Sequence, residues 1–254
     1  MPESNAPTML PRAVIVVPCY NEAARLPVKE IEAFIDEHPE YAWCFVDDGS
    51  TDATREVLEA LCATFPKRAR VFVMPQNGGK AEAVRAGILD ALDTWQAPWV
   101  GYWDADLATP LGEIPRFERY LEAHPALRLL CGSRWLHMGA RIERHFWRHY
   151  LGRIFATLAS TVLGLPIYDT QCGAKLIEAE LAREIFGEPF HTHWIFDVEM
   201  LARVIQRLGR AEAREVIGEI PLEAWIDRGG SKVRPHHSFR VPIDLWRIHR
   251  RYFT

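Results

Sequence analysis

The feature that most limits what this chain can fold into is an alternation in its first half. Short apolar runs at residues 13–17, 42–46, 70–73 and 99–103 are separated by helix-like stretches at 28–37, 52–65 and 80–94. The runs are β-branched or aromatic and bounded by Pro, Gly or Asp, as buried strands are. Ser50 or Thr51 suits the N-cap of the second helix, with Asp52 in the same capping turn. Strands alternating with helices of this length predict the α/β class: a mostly parallel sheet flanked by helices, with right-handed connections. In such sheets ligands sit beyond the carboxyl ends of the strands.

The second half changes character. Residues 127–131 read as a strand, 141–165 as a basic and aromatic helix, and 168–176 as an extended segment. Residues 195–208 read as an amphipathic helix, 215–222 as a strand and 240–253 as a terminal amphipathic helix. No low-complexity linker interrupts the chain, so one domain is expected over its 254 residues. Apolar residues make up 48% and charged residues 25%, which excludes disordered and collagen-like classes. The net charge of −4 argues against nucleic acid as a partner. The 5 cysteines are odd in number and lack a C-x-x-C pair, so they read as buried small apolar residues in a reducing compartment.

The loops after the strand-like runs carry the chemistry: Pro18-Cys19-Tyr20-Asn21-Glu22, Asp47-Asp48-Gly49-Ser50, Asn77-Gly78-Gly79-Lys80 and Asp104-Ala105-Asp106. Two carboxylates one residue apart at a strand end can share a hard cation, Mg2+ or Mn2+, which keeps positions for water and phosphate oxygens. A carboxylate at Asp47 or Asp48 can accept from a nucleobase or ribose, or can simply cap a turn. Glycines before Lys80 permit close approach of a diphosphate to a helix N-terminus. Neither a P-loop nor a G-x-G-x-x-G fingerprint is present. His191, His193, His236 and His237 lack the spacing of helical zinc ligands.

Taken together and in order, these loops resemble family 2 glycosyltransferases. Asp169-Thr170-Gln171-Cys172-Gly173-Ala174-Lys175-Leu176, Phe196-Asp197-Val198-Glu199-Met200-Leu201 and Gly230-Ser231-Lys232 resemble the dolichyl-phosphate glucosyltransferase branch, beside the dolichyl-phosphate mannose synthases. The resemblance implies a GT-A type, Rossmann-like fold with a nucleotide-binding half at 12–132 and an acceptor-binding half at 133–232. An extension at 1–11 and a basic helix at 233–254 would flank them. It implies that Pro18, Tyr20 and Glu22 line the nucleotide site and that Asp47 or Asp48 holds the base or ribose. Lys80 would approach the diphosphate, and Asp104 and Asp106 would hold it through the metal, with Ala105 between them in the cofactor-binding site. Arg134 and Arg148 would meet phosphate, and Arg228 and Lys232 would close over the donor. Asp169 and Asp197 would lie near sugar and acceptor, while Gln171 and Lys175 would orient the sugar or brace the loop. One departure concerns the metal: where the mannose synthases commonly place Gln, this chain has Ala108.

The implied reaction moves a hexose, glucose from UDP-glucose before mannose from GDP-mannose, to a polyprenyl phosphate with inversion. A phosphate acceptor is already an anionic nucleophile, so cationic side chains are needed more than a base. A hydroxyl acceptor would instead need one of Asp169, Asp197 or Glu199 as a base. A nucleotide-sugar-binding protein without catalysis is the alternative from another class. Charge is unevenly spread: residues 134–153 hold 5 Arg against 1 Glu, and 228–254 hold 7 Lys and Arg against 1 Asp. Aromatic residues interleave with both basic stretches, which predicts a peripheral membrane face on the cytoplasmic side. No export signal and no run of about 20 apolar residues is expected.

Overall fold

The computed structural model describes residues 10–135, 138–139, 141–143, 146–228 and 236–254. The first half follows the expected alternation: β1 (Ala13–Cys19), α1 (Val28–Glu37), β2 (Tyr41–Asp47), α2 (Thr54–Thr64), β3 (Ala69–Val73), α3 (Lys80–Thr94) and β4 (Trp99–Trp103). The second half adds α4 (Glu113–Ala123), β5 (Leu129–Ser133), β6 (Arg141–Glu143), α5 (Phe146–Leu163), β7 (Ala174–Glu178) and α6 (Ala179–Phe186). It ends in α7 (Phe196–Leu208), α8 (Arg210–Val216), β8 (Ile217–Pro221), β9 (Ala224–Ile226) and α9 (His236–Tyr252).

Seven strands form one sheet in the order β3-β2-β1-β4-β7-β5-β8, and β6 pairs with β9 in a small second sheet. Strands β1 to β4 run parallel, β5 and β8 are parallel to each other, and β7 is antiparallel to both of its neighbours. Alternate side chains enter two cores. Val14, Val16, Cys44, Val46 and Tyr102 pack with α3, α6 and α7, while Ile15, Val17, Trp43, Phe45 and Trp103 pack with α1, α2 and α4. Burial on both faces explains why these strands read as continuous apolar runs rather than as alternating ones. The chain leaves β1 toward β2 and β3, then returns to place β4 on the other side of β1. The resulting crevice between β1 and β4 is where a ligand fits such a sheet.

Several sequence expectations are corrected. The helix expected over 141–165 begins only at Phe146, because Arg141–Glu143 pairs in register with Ala224–Ile226. The extended segment of 168–176 becomes a strand only from Ala174, where it inserts antiparallel between β4 and β5. The strand expected over 215–222 starts at Ile217, after helix α8. Neither Ser50 nor Thr51 caps α2. Ala53 holds the N-cap position without a side-chain bond, and Asp52 before it accepts from Thr54 N at 3.0 Å and Thr54 Oγ1 at 2.5 Å.

A buried carboxylate fastens α9 to the body of the fold. Glu199 on α7 is fully buried and accepts from the backbone N–H groups of His191 and Thr192, the Thr192 hydroxyl, the Tyr252 hydroxyl and Arg203. Burial alone would raise its pKa, but the hydrogen bonds from His191, Thr192 and Tyr252 outweigh that and hold it below the ordinary value of 4.5. Glu199 therefore stabilises the fold above about pH 4.5, and this contribution is lost as the pH falls through the lower folded-state value. Replacing Glu199 by Ala, which takes the carboxylate from the Arg203 charge and the acceptor from the His191 and Thr192 N–H groups, is expected to cost about 3–5 kcal/mol in urea unfolding at pH 7. The E199Q chain should show a smaller loss of melting temperature than wild type when both are acidified from pH 7 through this range.

Candidate active site

The loops at the carboxyl end of the sheet are tied to one another before any ligand is considered. Asn21, with a left-handed φ of 49°, donates its N–H to Ser50 Oγ at 3.0 Å and accepts from Thr51 N at 2.8 Å. Glu22 N donates to Thr54 Oγ1 at 2.7 Å. The Asp48 carboxylate accepts from Gly78 N at 2.6 Å, Gly79 N at 3.0 Å and Asn77 Nδ2 at 3.0 Å. Gly49 allows the close approach this requires, since a Cβ there would lie 2.6 Å from Asn77 N. Burial, with the Asp47 and Glu82 charges, raises the Asp48 pKa despite the Gly78 and Gly79 N–H groups. Asp47 is buried too and accepts from Ser50 N at 3.0 Å. Both aspartates brace the loops, and the Gly78 and Gly79 N–H groups point at Asp48. Pro18 is the penultimate residue of β1, and Tyr20 and Glu22 follow the strand, half-buried.

Asp104 and Asp106 follow β4 at the centre of this edge. Asp104 Oδ1 pairs with Lys80 Nζ at 2.6 Å, and Asp104 N donates to Gly173 O at 3.0 Å. A Cβ on Gly173 would fall 1.9 Å from Asp104 Oδ2, so only glycine lets this loop lie against the carboxylate. Burial opposes the Lys80 charge, but Asp104 and Asp197 outweigh it and raise the ammonium's pKa. Burial, then the neighbouring Asp104 charge, raises the pKa of Asp106. Asp106 Oδ1 accepts from Ala108 N at 3.0 Å, and the intervening Ala105 is buried. Leu107, buried and at φ 48°, turns the chain away; such a backbone is held only where packing enforces it.

Beneath the Gly173 loop lies a buried charged pair. Lys175 Nζ donates to Asp197 Oδ1 at 2.6 Å, to Cys172 O at 2.6 Å and to Thr170 O at 3.1 Å. Tyr102 donates its hydroxyl to the same Asp197 oxygen. Of the two roles open to Lys175, its contacts are those of a brace, and its complete burial leaves no surface for a sugar. Asp197 is likewise a buried support, at 3% exposure.

Arg134, just after β5, is held by Asp169: Nε to Oδ2 at 2.6 Å and Nη2 to Oδ1 at 2.7 Å. The indole of Trp225 lies 5.6 Å from its guanidinium. Burial works against this charge, but Asp169 more than offsets it and raises the Arg134 pKa, with Asp104 close enough to contribute. Arg134, Arg153, Phe155, Tyr168 and Gln171 line a cavity of about 140 Å³. Gln171 Nε2 is buried there with no hydrogen-bond partner among the described residues.

Not every expected residue joins the site. Arg228 pairs with Glu30 of α1 at 3.1 Å, so a phosphate contact would require that pair to open. Lys232 lies outside the described residues, and Arg148 falls on α5 where side chains are not described. Sequence reasoning missed Tyr102, Arg153, Trp225 and Glu219. An acidic residue inside the short strand Ile217–Pro221 was the available signal for Glu219.

Asp104 and Asp106, one residue apart, have the oxygen chemistry of an open divalent-cation site, whose remaining positions other oxygen ligands would fill. Among the described residues no cluster of three or more His, Cys, Asp and Glu forms a closed cage. The family model described as "Glycosyl transferase family 2" matches residues 14–186. The chain belongs to this family. It is 34% identical over 247 residues to a dolichyl-phosphate beta-glucosyltransferase of Trichomonas vaginalis, covering 92% of this chain and 69% of that protein. The mouse and human dolichyl-phosphate beta-glucosyltransferases are each 32% identical, with 94% of this chain and 75% of theirs covered. A crystal structure of glucosyl-3-phosphoglycerate synthase from Mycobacterium tuberculosis with Mn2+, UDP and glucosyl-3-phosphoglycerate superimposes with a TM-score of 0.66 at 20% identity, covering 94% of this chain and 80% of that one. The mixed α/β architecture is thus the GT-A fold, and this family 2 chain is a glycosyltransferase.

The contact between Gly173 and Asp104 yields a direct check. Gly173→Ala is expected to push the Asp104 carboxylate aside and weaken Mn2+-dependent UDP binding by about tenfold or more, read by calorimetry, since displacement by 1 Å costs heavily at a preorganised site.

Proposed function

We propose that the chain transfers glucose from UDP-glucose to a polyprenyl phosphate, of the dolichyl or undecaprenyl type, with inversion and with Mg2+ or Mn2+ at Asp104 and Asp106. The observation that carries this reading is the placement of Arg134. It lines a cavity with Arg153 while lying within electrostatic reach of Asp104. Two anionic groups can therefore lie side by side, one on the Lys80 and Asp104 side and one in the cavity. The dolichyl-phosphate glucosyltransferases that align along most of this chain add the substrate class.

In this reading Pro18, Tyr20, Glu22 and Asp47 or Asp48 line the nucleotide site, with Asp48 doing so from a braced position. Lys80 offers its ammonium to the diphosphate. Asp104 and Asp106 would hold the divalent cation, which when bound would neutralise charge on the departing UDP. Arg134 and Arg153 hold the acceptor phosphate, whose oxygen attacks the anomeric carbon as the bond from that carbon to UDP breaks. No proton has to move. The carboxylates that a hydroxyl acceptor would need as a base are all engaged: Asp169 by Arg134, Asp197 by Lys175 and Tyr102, and Glu199 in its buried cluster. This supports a phosphate acceptor. Arg148, Arg228 and Lys232 remain phosphate contacts of the proposal.

The proposal includes peripheral binding to the cytoplasmic face of a membrane. Ile154 and Leu158 of α5 and Ile243 and Trp246 of α9 are exposed large apolar residues, and the two helices pack together. Arg153, Arg247, Arg250 and Arg251 accompany them, with Arg250 lying 5.4 Å from the Trp246 ring. This is the mixture suited to an anionic headgroup layer. No helix among the described residues is long and apolar enough to cross a membrane.

The deciding experiment offers UDP-glucose and GDP-mannose to the chain with a short polyprenyl phosphate. Glucose transfer from UDP-glucose is expected, abolished by EDTA and restored by Mn2+. Asp104→Asn should lower kcat by about a hundredfold or more. Transfer to free sugar hydroxyls, or UDP binding without transfer, would replace this reading. Cosedimentation with vesicles containing phosphatidylglycerol, weakened by 0.5 M salt, is expected of the basic face; no binding to any vesicle would remove it.

A further inference from the structure

Behind Arg134 and Asp169 stands a second carboxylate that the sequence did not single out. Glu219 lies on β8 opposite Cys131 of β5, and Arg134 follows that same strand. Its two oxygens accept from successive backbone N–H groups, Oε2 from Tyr168 N at 2.7 Å and Oε1 from Asp169 N at 2.5 Å. Asp169 then accepts from Arg134 N, Nε and Nη2, and from Gln171 N at 3.2 Å. The order of dependence is plain: Glu219 fixes the backbone at 168–169, that backbone aims the Asp169 carboxylate, and Asp169 sets the plane of the guanidinium.

The arrangement is costly, which is why a passive role explains it poorly. Burial and the neighbouring Asp169 charge both disfavour the Glu219 carboxylate, and the two N–H groups only partly offset them, so its pKa lies above the ordinary value. An apolar residue could fill the space in β8 without bringing a second negative charge toward Asp169. A carboxylate gives each of the two adjacent N–H donors its own acceptor oxygen. The bidentate pair uses two of Arg134's N–H groups and leaves the others uncommitted to Asp169, on a side chain that lines the cavity with Arg153, Tyr168 and Gln171.

We infer that Glu219 is a positioning residue for the acceptor phosphate: by clamping the Tyr168 and Asp169 N–H groups it holds Asp169, and through it the Arg134 guanidinium, in the plane that receives a phosphate monoester. The inference rests on the proposed phosphate acceptor, and Glu219 itself does not touch the substrate.

The test uses the full chain, UDP-glucose and farnesyl phosphate. Glu219→Gln keeps the shape of the side chain but turns an amide NH2 toward one of the two N–H donors. E219Q is expected to raise the KM for farnesyl phosphate about tenfold, the scale of one charge-assisted hydrogen bond. Its KM for UDP-glucose and its calorimetric affinity for UDP with Mn2+ should stay within about twofold. In an Arg134→Ala background the same change should add nothing, because both act through one guanidinium. An unchanged acceptor KM, an equal rise in both KM values, a loss of UDP binding, or full additivity with R134A would each overturn the inference. Calorimetric binding of farnesyl phosphate separates the two readings. A wild-type chain that binds it but transfers no glucose overturns the proposed function and leaves the E219Q affinity ratio to decide Glu219. A wild-type chain that binds none overturns the role of Glu219.

Discussion

Asp104 is held from three directions, and the site is organised around that restraint. Lys80 Nζ approaches one carboxylate oxygen, the Gly173 backbone lies against the other, and Gly173 O receives the Asp104 N–H. None of this would persist if the 170–173 loop could drift. The buried Lys175 ammonium prevents that by donating to Thr170 O and Cys172 O, and Asp197 with Tyr102 keeps that ammonium in place. A buried ion pair adds little net stability over a well-packed apolar equivalent, but it is costly to break singly and it specifies one geometry. Here that geometry fixes the loop that lies against the Asp104 carboxylate.

A second chain of contacts runs in parallel. Glu219, the 168–169 backbone, Asp169 and Arg134 order a cation as Lys175 and Gly173 order an anion. The two meet in the short segment from Asp169 to Lys175, whose residues touch both. A catalyst that brings two phosphate-bearing substrates together must keep opposite charges close without letting them collapse on each other. Separate ion pairs do this: Asp169 pairs with Arg134, and Asp104 pairs with Lys80, so neither charge is left to seek the other.

The strands and their loops were legible because local chemistry and tertiary position agree there. A run such as Ala13–Cys19 is apolar at nearly every position because both sheet faces are covered, and Asp104 and Asp106 stand at its neighbour's end because that is where the chain leaves the sheet. Legibility failed where a partner far along the chain decides. Residues 141–143 form a strand only because 224–226 come alongside, and Ser50 is drawn from capping α2 to bonding Asn21. Glu219 was invisible for the same reason, since its donors lie about fifty residues earlier at 168 and 169.

By itself the sequence determined the α/β class, the four parallel strands of the first half, the order of the polar loops and the likeness to family 2 glycosyltransferases. These follow from hydrophobic periodicity and short motifs, which are properties of adjacent residues. Only the tertiary structure decided that Lys175 and Asp197 lie under the site, that Asp48 braces a loop, that Arg228 pairs with Glu30 and that Arg134 takes its plane from Asp169. Those outcomes depend on burial and on distances between residues remote in sequence. A charged side chain's role is set by which opposite charge lies nearest once water is excluded, and a linear pattern does not encode that.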